Sequence, residues 1–229
     1  MNEQDPRSAI KDYPSIFNEA IGPVMRGPSS SHCAAALRIG RLARDLMDSD
    51  LQEVLVEFDT TGSLATTHES QGSDMGLCGG LLGWDATDER LVTSIQTIRD
   101  AGIVLEIRIT DLGATHPNTY KLTLKNATEN HSLTAISTGG GMIEIVEIDG
   151  ARVSMRGDTY ETLVYMDAGG DRLGQVLEEL ADLDAVLLHQ GVEIQFVEIK
   201  AQRHLPQDLL LQIGAEYGIR QIRRLSPVL

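Results

Sequence analysis

YETLVYMDAGGDRLGQVLEELADLDAVLLHQGVEIQFVEIKA, residues 160–201, runs on through PQDLLLQIGAEYG (206–218) into IRQIRRLSP (219–227). Its apolar residues alternate over 160–169, fall at helical spacing over 171–184, and alternate twice more over 185–191 and 192–201. A second helical stretch and a last alternating one complete the order βαββαβ, a ferredoxin-like unit of about seventy residues. The chain is therefore a mixed α/β (α+β) protein, with strands covered by helices.

Just upstream, GARVSMRGD (150–158) is short, mixed and glycine-flanked, and a domain boundary is placed there. It divides the chain into an N-terminal unit, 1–155, and a C-terminal unit, 158–229. In the N-terminal unit, LQEVLVEFD (51–59) alternates with Val54, Val56 and Phe58 on one face, and GIVLEIRIT (102–110) puts Ile103, Leu105, Ile107 and Ile109 on one side. YKLTLKNA (120–127), SLTAIS (132–137) and MIEIVEIDG (142–150) read as further strands, the last two joined by the triplet Gly139–Gly141. Helices are expected from about Asp74 to Gly83 and over DERLVTSIQTIRDAG (88–102), which ends in a C-capping Gly102. Gly79 and Gly80 weaken the first of these, by about 1 kcal/mol each relative to alanine, and imply close approach of another backbone. Residues 1–14 are a polar lead-in.

Between that lead-in and the first strand lies IGPVMRGPSSSHCAAALRIG (21–40), in which a serine run and a histidine enter a segment with Ala35, Ile39, Leu42, Ala43 and Leu46 at helical spacing. Serine before a helix is commonly an N-cap and a turn. The second reading is an anion site, since a helix start offers unpaired N–H groups and the positive dipole pole to a carboxylate or phosphate. Ala34 in place of Glu or Gln denies Ser31 a capping box, which favours the second reading. His116-Pro117-Asn118-Thr119 sets an imidazole, an amide and a hydroxyl on a proline-stiffened turn, readable either as a site or as a plain Asx-type turn.

The 229 residues carry a net charge of −15, which repels phosphate backbones and anionic lipid and argues against nucleic-acid or membrane-surface roles. No apolar run approaches the ~20 residues of a membrane helix. The N-terminus lacks a basic stretch followed by an apolar one, so a cytoplasmic location is expected. Two cysteines, Cys33 and Cys78, are too few for a disulfide framework or a four-thiolate metal site.

Ser15-Ile16-Phe17, Ile21-Gly22-Pro23, Gly27-Pro28-Ser29-Ser30-Ser31-His32, Gly62-Ser63-Leu64-Ala65-Thr66-Thr67, Gly72 with Asp74, Gly79-Gly80-Leu81-Leu82-Gly83, His116-Pro117-Asn118-Thr119, and Ser137 with Gly139-Gly140-Gly141 occur in one order. Together they resemble the β subunit of the iron–sulfur-dependent L-serine dehydratases, also called L-serine ammonia-lyases. The resemblance implies an allosteric-substrate-binding-like fold for 1–155 and an ACT domain for 158–229. It also implies a separate α subunit that carries a 4Fe–4S cluster, an enzyme active only as the pair, and a dimer or higher oligomer.

In that reading Ser30, Ser31 and His32 take part in catalysis, while Ser29, Ser30, Ser31, His116, Asn118, Thr119, Gly139 and Gly140 bind L-serine, and no residue here holds the metal. A non-catalytic module that senses serine or a related hydroxy or amino acid is the alternative. The sequence departs from the family pattern at Cys33, where threonine is usual, and at His68-Glu69-Ser70-Gln71-Gly72-Ser73-Asp74, where Gly-His-Gly-Thr-Asp is usual. It departs again at Asp167-Ala168-Gly169-Gly170-Asp171, in place of a Pro-Gly pair. His68 and Glu69 look like a metal pair, but two ligands do not make a site.

Overall fold

The computed structural model of the chain describes residues 22–178, 183–191 and 194–229. Ser15-Ile16-Phe17 and Ile21 of the motif set lie outside the described residues. The elements run α1 (Ala35–Leu46), β1 (Glu53–Asp59), α2 (Leu64–Thr67), α3 (Ser73–Leu81), α4 (Ser94–Asp100), β2 (Val104–Thr110), β3 (Thr119–Lys125), β4 (Asn130–Gly139), β5 (Met142–Ile148) and β6 (Ala151–Met155). They continue with β7 (Tyr160–Met166), α5 (Gly170–Glu178), β8 (Leu183–Gln190), β9 (Gln195–Ala201), α6 (Gln207–Tyr217) and β10 (Ile219–Leu225). The mixed α+β class is as expected. No helix among the described residues is long and apolar enough to cross a membrane.

Strands β1 to β6 form one sheet in the order β2-β1-β3-β4-β5-β6, in which β1 and β2 are parallel and the other pairs antiparallel. Alternation decides its faces: Val54, Val56, Phe58, Tyr120, Leu122, Leu124, Leu133, Ala135, Ile143 and Ile145 are buried against Ile39, Leu42 and Leu46 of α1. Each Val, Leu, Ile or Phe among them contributes on the order of 2 kcal/mol by leaving water. Helix α3 packs backbone to backbone on α1. A Cβ at Gly80 would lie 2.0 Å from Leu37 O, at Gly76 2.0 Å from Cys33 O, and at Gly40 2.6 Å from Leu77 O. Gly80 thus meets the close approach expected of the pair, while Gly79 meets the Leu91 side chain.

Strands β7 to β10 form a second, antiparallel sheet in the order β10-β7-β9-β8, the arrangement a βαββαβ unit produces. Val164, Met166, Val197 and Ile199 face α5 and α6. Leu163, Tyr165 and Phe196 face the other way and join the core of the first sheet. The same face carries Glu161 and Glu198, both buried, with Lys200 Nζ 3.1 Å from Glu198 and 3.6 Å from Glu161. His189 Nε2 lies 2.5 Å from Glu198, while His189 Nδ1 and Lys200 Nζ donate to Arg152 O and Ser154 O of β6. Strand β10 and the residues after it reach back to the first sheet's layer: Arg223 Nε donates to Leu46 O at 2.7 Å, Ser226 N to Asp45 at 2.9 Å, and Val228 N to Gly157 O at 2.8 Å.

Several elements differ from their expected form. The segment 60–72, rich in Gly, Ser and Thr and without helical periodicity, contains the four-residue α2. The stretch 88–102 opens as a 3-10 turn, Glu89–Thr93, capped by Asp88 accepting from Arg90 N, and becomes α-helical only at Ser94. Ile109 is 43% exposed, because β2 is the sheet edge and no further strand among the described residues covers its end. Leu183 and Asp184 belong to β8 and not to the preceding helix: Leu183 pairs with Ala201 of β9, and Asp184 sits at the register shift before Ala185 pairs with Lys200.

Candidate active site

At one end of the first sheet, β1 finishes, β3 begins and β4 finishes, and Asp59 organises the loops between them. Its carboxylate accepts from Thr61 N at 2.8 Å and Thr61 Oγ1 at 2.6 Å, and from Leu112 N at 2.9 Å and Ala114 N at 3.1 Å. The Thr61 hydroxyl and the Ala114 N–H, with the other N–H donors, hold the carboxyl well below the usual carboxylate range. The turn and loop it pins carry Ser63 and 116–118. Gly62 lets them touch, for a Cβ there would lie 2.7 Å from Pro117 O, and Ser63 N donates to that oxygen at 2.9 Å.

The segment Ser29–His32 closes this end from the helical layer. It does not simply cap α1. Residues Ser30–Ala34 form a wide π-helical turn ahead of the helix, and the Ser29 side chain makes no capping hydrogen bond. Ser29 Oγ lies instead 3.1 Å from His32 Nδ1, with Ser31 Oγ 3.3 Å from the same nitrogen and 3.3 Å from Ser29 Oγ. Ser137 Oγ donates to Ser31 O at 2.7 Å, and Ser137 N to Asn118 O at 3.0 Å, tying the turn to β4 and to the 116–119 loop.

On the far side of the imidazole, His32 Nε2 is 3.1 Å from Thr67 Oγ1, and Thr67 Oγ1 donates to Ser63 O at 2.6 Å. Ser63 Oγ in turn donates to Asn118 Oδ1. One hydrogen-bonded network thus joins Ser29, Ser31, His32, Thr67, Ser63 and Asn118 across three separate segments. The three serines and His32 are half-buried, and burial lowers the His32 pKa, so the ring is neutral near pH 7. A neutral imidazole among hydroxyls can accept a proton, and the first N–H groups of the turn can hold a carboxylate.

The remaining expected residues fall elsewhere. Ser30 Oγ has no hydrogen-bond partner among the described residues. His116 Nδ1 accepts from Asn118 N at 3.1 Å and Thr119 Oγ1 donates to His116 O at 2.7 Å, so these two close their own turn. Both line a groove of about 730 Å³ with Lys121, Thr134 and Arg152 on the solvent face of the sheet, away from Ser29–His32. Gly139, Gly140 and Gly141 form the β4–β5 turn with φ of 108°, 61° and 88°, values that favour glycine. Space around Gly139 is open, and Arg38 Nη1 donates to Gly141 O at 2.5 Å from α1.

His68 is paired with Asp74, its Nδ1 2.7 and 2.9 Å from the two carboxylate oxygens, while Glu69 is exposed. Cys33 and Cys78 are buried, which pushes their thiols up to about 11 and about 12. The sequence does not mark Thr67, Ser63 and Ser137 as site residues. Their signal was present in the Gly62–Thr67 and Ser137 motifs, whereas nothing in the alternation of β1 marks Asp59.

No family model matches the chain. It is 38% identical over 207 residues to the Bacillus subtilis (strain 168) protein named "Probable L-serine dehydratase, beta chain", covering 90% of this chain and 89% of that one. The chain belongs to the L-serine dehydratase beta-chain family. A second β chain, named "L-serine dehydratase, beta chain" in Peptoniphilus asaccharolyticus, is 37% identical over 158 residues, 68% of each protein. The hydroxyl and imidazole network described above thus sits in a serine dehydratase β chain.

Proposed function

We propose that the chain is the β subunit of an L-serine ammonia-lyase and lends its Ser29–His32 turn to an active site completed by an α subunit. The observation that carries the reading is the network around His32, a neutral imidazole held by hydroxyls beside a helix start. L-Serine loses its α-proton and its 3-hydroxyl, leaving aminoacrylate and water, and the aminoacrylate hydrolyses to pyruvate and ammonia. The turn would hold the substrate carboxylate through N–H groups and the Ser30 and Ser31 hydroxyls, and His32 would take the α-proton. Ser29, Ser63 and Asn118 keep the turn and the ring in register.

The 4Fe–4S cluster implied by the family resemblance does not fit this chain. Both thiols are buried with raised pKa values, and no group of three or more His, Cys, Asp or Glu side chains is placed to hold a metal among the described residues. The cluster is therefore assigned to the α subunit, in line with the "beta chain" in the relatives' names. A cytoplasmic pair, the allosteric-substrate-binding-like and ACT assignments for 1–155 and 158–229, and a dimer or higher oligomer belong to the same proposal.

Co-expression of this chain with its α subunit and assay of pyruvate from L-serine tests it. His32→Ala and Ser31→Ala are expected to lower turnover on the order of a hundredfold. An α subunit that is fully active without this chain, or indifferent to both changes, would refute the catalytic role. Micromolar serine binding by the chain alone would point to a sensor instead.

A further inference from the structure

We propose that Thr67 is a positioning residue that fixes the His32 tautomer, keeping the proton on Nε2 and the lone pair on Nδ1, toward Ser29 and Ser31. The inference rests on the reading of His32 as a base and says which nitrogen does the work. It follows from counting protons. Ser63 O is a carbonyl and can only accept, so the single Thr67 hydroxyl proton, 2.6 Å away, is committed to it. Thr67 Oγ1 then has only lone pairs to offer His32 Nε2 at 3.1 Å, and Nε2 must be the donor.

In a neutral imidazole the other nitrogen is an acceptor. That nitrogen, Nδ1, faces Ser29 Oγ at 3.1 Å and Ser31 Oγ at 3.3 Å, each able to donate. A substrate proton taken by His32 therefore arrives on the Nδ1 side, between the two serines. Once protonated, the ring keeps its Nε2–H on Thr67 and need not turn. The lock is local: Thr67 lies four residues after Ser63, so the single turn of α2, too short to be legible as a helix, brings that carbonyl to that hydroxyl.

The test is nitrogen NMR on the full chain labelled with ¹⁵N-histidine, with His32 assigned by the loss of its signals in His32→Gln. The wild type should show His32 Nε2 protonated and Nδ1 unprotonated above its titration. Thr67→Val keeps shape but leaves Nε2 without an acceptor, so the proton should move to Nδ1 and bond a serine hydroxyl, exchanging the two signals. Thr67→Ser should retain the wild-type pattern. In the assembled enzyme, Thr67→Val should lower kcat on the order of tenfold with little change in KM, and Thr67→Ser should restore it.

Wild-type His32 signals in a folded Thr67→Val chain would overturn the lock. Exchanged signals, together with an assembled enzyme indifferent to His32→Gln, would sustain the lock and sink the base assignment, so the two failures are distinguishable.

Discussion

Asp59 spends both carboxylate oxygens on the loops that hold Ser63 and Asn118. Asp59→Asn replaces one acceptor oxygen by a donor facing N–H groups, and a lower urea midpoint is expected at pH 7. The folded carboxyl is held well below the ~3.9 of an unfolded aspartate. Its stabilisation is therefore complete above that value and disappears as pH falls toward the folded one. The midpoint gap between wild type and Asp59→Asn should narrow from pH 5 to pH 3, and urea titrations at each pH check it. Ser29, Ser31 and His32 are legible in the sequence because they fall within four consecutive residues at a helix start. Thr67 and Asn118 were not legible as their partners, because they reach the cluster through bonds that span 35 and 55 residues. Spacing along the chain carries no signal for those.

Helices α1 and α3 set the turn against the sheet through glycines, and here the sequence spoke in part. Gly79-Gly80 announces a close approach, but single glycines make others, Gly76 as tight at 2.0 Å from Cys33 O and Gly40 at 2.6 Å from Leu77 O. Gly80→Ala must push α3 off Leu37 O and should cost about 1–3 kcal/mol in chemical denaturation, as overpacked cores do. Gly214 in α6 has nothing within 4 Å of its missing Cβ, and Gly214→Ala should gain about 0.4–1 kcal/mol by restricting the unfolded chain. The opposite signs separate packing from propensity. Strands were easier to read than short helices, since alternation marks β1, β3, β4 and β5 directly. The four-residue α2 buries only Leu64 and has no period to show.

The two sheets share one core, which the sequence did not show because the strands of each alternate on their own account. Glu161 and Glu198 are enclosed between them. Burial, reinforced by a hydrogen bond to Glu198, pushes the Glu161 carboxyl up to about 9. Burial opposes the ionised form of Glu198 too, but hydrogen bonds from His189 and Glu161 and the Lys200 charge hold it low, so the pair shares a proton. An unfolded glutamate near ~4.3 ionises earlier, so this arrangement loses stability as pH rises from there toward 9. Glu161→Gln keeps a donor toward Glu198 without that penalty. Its unfolding free energy relative to wild type, read from urea titrations, should rise between pH 5 and pH 8, by at most about 1.4 kcal/mol per pH unit. The return of Arg223, Ser226 and Val228 onto Leu46, Asp45 and Gly157 has a consequence for biosynthesis. Ribosomes deliver these residues after both sheets' other strands, so the helix that follows the serine turn waits, incompletely covered, until the second sheet has been synthesised, and chaperone dependence should track that interval.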